Sequence, residues 1–291
     1  MAASLADVPQ LVLNGLMSGA LLTAPAIGLT AIYAVLRFPN FAVASHATIG
    51  AFAGYLANVA LGWPLVPAAL VAFLAAGAVG VVSDWVVLRP LRPVGLITAT
   101  IASVALTIAL ENLVRLGFGN QLRDYDLPIL RDWRFGGLRV GPQQIEDLAI
   151  AAVAVAALFG FLRCTRIGKA MRAVADNPML AAIKGIDADL IAVLVNFVAM
   201  GLAGLGGMLI GLDTSIDPLT GFRTLLAVFA AAVVGGLGSI PGAVVGALAV
   251  GVAEELSLLV LPPDYRTVVG FIAILLVLTL RPRGILGARA Y

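Results

Sequence analysis

The chain reads as an all-α integral membrane protein of eight or nine transmembrane or re-entrant helices. Composition is the first ground for this. Of 291 residues 61% are hydrophobic and 12% charged, with a mean hydropathy of +1.06. Soluble globular chains carry roughly 25% charged residues, so too few polar side chains exist to cover a water-facing surface. The second ground is length. The apolar residues fall in runs close to the ~20 that span a bilayer as a helix. They are apolar on all sides, whereas barrel strands alternate. Only helices or closed barrels satisfy every backbone polar group inside lipid.

The runs lie at about 9–36, 41–61, 65–88, 95–116, 147–163, 188–211, 223–237, 242–261 and 266–280, in a single transmembrane domain over 1–291. Pro25 predicts a break or kink in the first. The seventh is short for a crossing and fits either a span or a re-entrant segment. Residues Met1 to Pro9 hold no Lys or Arg, so the first run reads as a retained helix rather than a cleaved leader.

Cations set the orientation. Arg163, Arg166, Lys169, Arg172 and Lys184 fall in one stretch with Asp176 as the only acid among them. Arg89 and Arg92 flank the third run, and Arg281, Arg283 and Arg289 follow the last. All three places are cytoplasmic if the runs alternate, which puts the N-terminus outside and the C-terminus inside. The stretch at about 117–146 mixes both charges and reads as a periplasmic loop.

Gly62-Trp63-Pro64 between the second and third runs is echoed by Gly238-Ser239-Ile240-Pro241-Gly242 between the seventh and eighth. Equivalents then stand five runs apart, an odd offset, so the halves would be inverted. Glycines four apart, such as Gly15/Gly19, Gly50/Gly54 and Gly207/Gly211, predict close helix packing, within the chain or between subunits.

Net charge is +2, which leaves no electrostatic case for nucleic acid. Cys164 is the only cysteine and His46 the only histidine, so neither a disulfide within the chain nor a Cys/His metal cluster is expected, and no cofactor. No nucleophile–base constellation points to an enzyme.

The stretch 163–190 is the most informative. A short helix is expected over 169–176, followed by a second capped by Asn177, with Pro178 at its first position and Gly185 just past its end. Met179, Leu180 and Ile183 share one side of it. Spacing alone fits two readings equally: a basic surface helix on the inner face, or a stiff elbow that docks on a partner.

Here a resemblance enters. Gly168-x-x-x-Arg172-Ala173-x-Ala175-Asp176-Asn177, then Ala181-x-x-x-Gly185-Ile186-Asp187, resembles the cytoplasmic loop of branched-chain amino acid ABC importer permeases of the LivH type. The run Ala232 to Ala243, Gly251-Val252-Ala253-Glu254, and Arg281-Pro282-Arg283-Gly284-Ile285-Leu286-Gly287 resemble the same family, in order along most of the chain. The resemblance implies a permease subunit in the inner membrane that pairs with a second homologous permease. It also implies two cytoplasmic ATP-binding subunits and a periplasmic substrate-binding protein. The loop at about 164–187 would be the coupling surface, through Gly168, Arg172, Ala173, Asp176, Asn177 and Gly185. ATP hydrolysis falls to partners: Gly168-Lys169 is followed by Ala170, and no phosphate-binding loop is present.

One departure bears on substrate. Where the family reads Asn-Phe-Ala-His-Gly-Glu, this chain has Asn40-Phe41-Ala42-Val43-Ala44-Ser45, with His46 three positions late. Branched-chain or other small amino acids are expected, with urea or a small carboxylate as alternatives. An ion-coupled secondary transporter is the rival of a different class. Ionisable groups in membrane helices usually face protein or water, so His46 and Glu254, with the polar Asn40 and Ser45 of the departing stretch, are candidates for the translocation path; a hydrogen bond to a neighbouring helix explains His46 and Glu254 as well. Glu111 is expected to pair with Arg115 four residues on, and Glu255 to point about 100° away from Glu254.

Overall fold

A computed structural model describes residues 7–127, 131–135, 138–262, 265–281 and 283–287. In chain order the helices are α1 (Val8–Leu36), α2 (Val43–Tyr55), α3 (Leu65–Ser83), α4 (Arg89–Leu91), α5 (Leu96–Phe118), α6 (Pro142–Cys164), α7 (Arg166–Asp176), α8 (Pro178–Ile183), α9 (Ala188–Asp213), α10 (Thr220–Gly235), α11 (Ile240–Ser257) and α12 (Arg266–Leu280). A single π-type turn extends α2 over Leu56–Ala60 and another extends α3 over Asp84–Leu88. Between α5 and α6, strands β1 (Trp133–Phe135) and β2 (Leu138–Val140) pair as a small antiparallel hairpin.

Each of the nine apolar runs lies in one of these helices. By length and composition six helical stretches suffice to cross a bilayer: Val8–Leu36, Leu65–Val94, Leu96–Phe118, Pro142–Cys164, Ala188–Asp213 and Ile240–Ser257. Thr220–Gly235 and Val268–Leu280 are apolar but shorter. Burial runs opposite to that of a soluble protein. α1 and α9 are enclosed, with 72% of their most apolar windows buried, whereas α6 has only 22%. Large apolar side chains such as Ile97, Ile101 and Ile108 on α5 and Val153 on α6 stand outward. A surface of this kind is stable only against lipid or another apolar helix.

Local chemistry moves three expected boundaries. Pro25 does not break the first helix, which is continuous from Val8 to Leu36. The proline ring lies where Gly206 of α9 has no side chain to obstruct it, so a neighbouring helix accommodates it. α6 begins at Pro142, five positions before the expected 147, because proline suits the first helical position and the Gln144 side chain accepts the Gly141 amide at 3.2 Å. α7 begins at Arg166 rather than 169, because Thr165 Oγ1 accepts the Gly168 amide at 2.9 Å.

Helices that follow one another run in alternating directions, so their ends gather on two sides. On one side lie the ends joined by α4, α7, α8 and the α10–α11 turn. On the other lie the β1–β2 hairpin and the start of α12. The centre is a crossing of α1, α2, α9 and α11 made possible by small residues. Gly50 of α2 abuts Gly204 of α9, and Gly207 abuts the Ala47 backbone, approaches that leave no room for a Cβ. Exchanging α1 with α9, α2 with α10, α3 with α11 and α5 with α12 preserves the packing partners. α1 on α11 becomes α9 on α3, α2 on α9 becomes α10 on α1, and α2 on α3 becomes α10 on α11. After α12 the chain returns: the Ile285 and Leu286 amides donate to the Val234 and Gly235 carbonyls at 2.8 and 3.0 Å. The glycine-rich end of α10 and the segment after α12, far apart in sequence, are thereby one unit.

Candidate functional site

Three polar constellations stand out, one on each side and one between them. The first is the elbow formed by α7 and α8. Thr165 caps its first helix, and Asn177 Oδ1 caps the second by accepting the Leu180 amide at 3.0 Å. Pro178 follows that cap, and Gly185, at φ 80°, ends the elbow in a conformation that favours glycine. Gly168 sits so close to Leu162 that a Cβ there would lie 2.5 Å from its Cα, which seats the start of α7 on the end of α6. Met171 and Val174 face inward and are buried, Ala173 is half-buried, and Arg172, Asp176 and Asn177 are exposed. On α8 the relation is reversed, since Met179, Leu180 and Ile183 are 76%, 55% and 75% exposed.

The elbow is tied to α1, where Arg37 at its end donates to the Ala175 carbonyl at 2.6 Å. Just past the elbow, Asp189 at the start of α9 pairs with Arg89 of α4 at 2.7 Å. A cavity of about 420 Å³ lies beneath it, with Met171, Arg172 and Asp176 on one wall and Ser239 and Pro241 of the α10–α11 turn on another. All six residues expected to act in coupling therefore fall in one rigid piece. Arg37, which sequence reasoning passed over, is its anchor to α1.

The second constellation lies at the start of α2. Asn40, Ser45 and His46 are fully buried. Asn40 Oδ1 accepts the Ala42 amide at 3.0 Å, while its Nδ2 has no partner. Ser45 Oγ donates to the Ala42 carbonyl at 2.9 Å. His46 Nδ1 lies 2.6 Å from that same carbonyl, so Nδ1 carries the proton, and Nε2 lies 3.3 Å from Ser83 Oγ of α3. Ser83 Oγ has one proton, shared between His46 Nε2 and the Gly80 carbonyl at 3.0 Å, and Asn196 Nδ2 of α9 donates to the same carbonyl at 3.2 Å. One turn further along, Arg92 pairs with buried Asp84. Polar groups from α2, α3 and α9 are thus linked in a line that ends beside the Arg89–Asp189 pair.

Glu254 is not part of that line. It belongs to the hairpin side, where Arg266 of α12 lies 3.6 Å from Glu254 and 2.6 Å from Glu255. Glu255 leaves the helix about 100° from Glu254, yet both carboxylates reach one guanidinium, because α12 packs against α11. Asp147 of α6 and Asp213 at the end of α9 lie near them and went unnoticed in sequence. Glu111 and Arg115 also depart from expectation, making no ion pair within 4 Å; Glu111 Oε1 and Arg115 Nε are buried without hydrogen-bond partners. Between hairpin and helices, Tyr125 donates its hydroxyl to the Ala51 carbonyl at 2.6 Å, and burial, helped by nearby Asp147, pushes the phenol pKa far upward. Among the described residues no group of three or more His, Cys, Asp or Glu is arranged to hold a metal ion.

A helical body enclosed at its centre, greasy outside and polar in short buried lines defines a multi-span membrane protein. Comparison with known proteins makes this specific. Residues 11–278 match the family described as branched-chain amino acid transport system / permease component. The high-affinity branched-chain amino acid transport system permease protein LivH of Escherichia coli K12 is 35% identical, over 96% of this chain and 95% of its own length. LivH of Salmonella typhimurium LT2 is 34% identical over the same shares, and BraD of Pseudomonas aeruginosa is 32% identical over 96% and 95%. No solved structure matches the chain. The chain belongs to the branched-chain amino acid transport permease family, and is a multi-pass inner-membrane protein.

Proposed function

We propose that the chain is one permease subunit of a binding-protein-dependent ABC importer carrying branched-chain or other small amino acids. It pairs with a second homologous permease, two cytoplasmic ATP-binding subunits drive it, and a periplasmic binding protein delivers the substrate. The observation that carries this reading is the elbow. Its capped helix α8 holds Met179, Leu180 and Ile183 out into solvent beside Arg172 and Asp176, while its other helix is anchored to α1. An exposed apolar side on a rigid, charged-rimmed helix is suited to a groove on a soluble partner. Arg163, Arg166, Lys169, Arg172 and Lys184 cluster there, which supports a cytoplasmic position.

Transport in this reading is an exchange between two helix packings, biased by the ATPases through α7 and α8. The preserved packing under exchange of α1–α5 with α9–α12 supports an inverted repeat, whose halves rock about the α1–α9 contact. Arg172→Glu and Asp176→Arg each uncouple ATP hydrolysis from uptake while leaving membrane insertion intact. Normal uptake by both variants in reconstituted vesicles removes the elbow from the mechanism. An ion-coupled transporter working alone would leave α8 unexplained. Copurification separates the two readings, since ATPase subunits follow an importer permease and are absent from a lone transporter. Amino acid against urea or small carboxylate is decided by binding measurements on the cognate periplasmic protein.

A further inference from the structure

Asp147 is buried in the first turns of α6, with 2% of its surface exposed. Gln143 Nε2 donates to its Oδ1 at 2.9 Å, but Oδ2 has no hydrogen-bond partner. Buried polar atoms are nearly always partnered, and a carboxylate oxygen left bare is among the costlier exceptions. Asp147 lines a cavity of about 130 Å³, shared with Asn14, Ser18, Gln144, Asp213, Glu255 and Arg266. That space suits a few waters or one small polar group.

The wall is unbalanced in charge, although Asn14, Ser18 and Gln144 give it neutral donors. Three carboxylates, Asp147, Asp213 and Glu255, face a single guanidinium, and Arg266 is already engaged by Glu255 and lies close to Glu254. Asn14 Oδ1 is occupied by Gln10 Nε2 at 2.8 Å. What the cavity lacks is a second positive charge to set against its three carboxylates. A larger neighbouring cavity of about 540 Å³ shares Asn14, Gln144 and Asp213 and extends beneath the hairpin to Asp132 and Arg139, which gives a way in from that side.

We infer that the pocket bounded by Asp147, Asp213, Glu255 and Arg266 is a binding site for a primary ammonium group. Asp147 Oδ2 accepts one N–H, and Asp213 and Glu255 are placed for the others. Inorganic monovalent cations share the charge but not the directional donors. Resting on the importer reading, the site receives the ammonium end of an amino acid on the hairpin side. It thereby selects against urea and against carboxylates that carry no amine.

The test uses the purified full chain in nanodiscs, with melting followed in methylammonium chloride, sodium chloride and choline chloride at equal ionic strength. Methylammonium is expected to raise the wild-type Tm by about 2–4 °C at tenfold excess over its Kd, choline and sodium not at all. Asp147→Asn should abolish the methylammonium shift. An equal shift in sodium chloride overturns the ammonium assignment in favour of an inorganic cation, and no difference among the three salts in the wild type overturns the site itself. The salt comparison needs only the wild type, so it decides even if the variant fails to fold. In vesicles with the partner subunits, Asp147→Asn should lower leucine uptake about tenfold or more, as expected for losing a charged hydrogen bond. Wild-type uptake that the variant matches refutes this site and spares the importer reading, whereas no ATP-dependent uptake by the wild type refutes the importer.

Discussion

Arg37 Nη2 donates to the Ala175 carbonyl at 2.6 Å, joining the last residue of the α1 turn to the last turn of α7. Ala175 O is one of the carbonyls that a helix end leaves without an internal partner. Arg37 itself holds φ 61°, with its amide bonded to the Tyr33 carbonyl at 3.0 Å, so α1 is terminated in the conformation that aims the guanidinium at α7. Any movement of the elbow is passed to α1, which with α9 is the most enclosed of the six membrane-length stretches.

Arg37→Ala is therefore expected to loosen α7 without disturbing the membrane body. Removing a bond of about 1 kcal/mol should speed amide exchange over Arg166–Asp176 about fivefold, with exchange in α9 unchanged. Uptake per ATP should fall in the same preparation. Unaltered protection of α7 would mean that the contact transmits nothing.

The Asp84–Arg92 pair is expected to matter more than the Arg89–Asp189 pair. Asp84 is 1% exposed, and its guanidinium partner reaches it from the end of the same helix. Removing Arg92 leaves a buried carboxylate without its cation, and Arg92→Ala should cost about 2 kcal/mol, below the full figure for enclosed pairs because Arg92 is partly in water. Asp84→Ala combined with Arg92→Ala should recover part of that loss. Both Arg89 and Asp189 are well exposed, and Arg89→Ala should be close to neutral. A double-mutant cycle by thermal unfolding in detergent checks this, and additivity of the Asp84 and Arg92 losses would contradict it.

Glycines divide by what their absent side chains would meet. Gly50→Ala drives a Cβ into Gly204 of the facing backbone, and should destabilise by about 1–3 kcal/mol. Gly160→Ala in α6 meets nothing within 4 Å and should be neutral or stabilising by about 0.5–1 kcal/mol, the ordinary helix preference for alanine. Equal melting temperatures for the two variants would show that α2 and α9 are not held at backbone contact.

These contrasts mark what is legible in sequence. The apolar runs are local patterns, and each appears as helix. Asn177, Pro178 and Gly185 are likewise local signals for the caps and turn at which they stand. Thr165 and Pro142 carried equally local signals for the starts of α7 and α6, and reading them would have corrected both boundaries. The remainder is tertiary. Nothing near Pro25 announces that Gly206 makes room for it, and nothing near Asp147 announces Asp213 or Arg266. Glu254 and Glu255 lie at different angles on α11, yet one long arginine on a crossing helix reaches both. Helical spacing gives direction from an axis, whereas polar sites are made where axes meet.

The burial of Asn40, Ser45 and His46 leads to the last prediction. If they line a route for substrate, they do so only when α2 parts from α3, since in the present packing their hydrogen bonds run to the Ala42 backbone and to Ser83. Cys164 is exposed and is the chain's only cysteine, so Cys164→Ser gives a background without thiols. Ser45→Cys in that background replaces a buried hydroxyl with a thiol of similar size. In vesicles with all partner subunits, a water-soluble maleimide should leave this position unmodified at rest and modify it during ATP-driven turnover, with labelling slowed by excess substrate. Modification at rest would contradict the closed packing of α2 on α3. Protection under both conditions would place the route elsewhere and leave Asn40, Ser45 and His46 as the bonds that hold α2 in place.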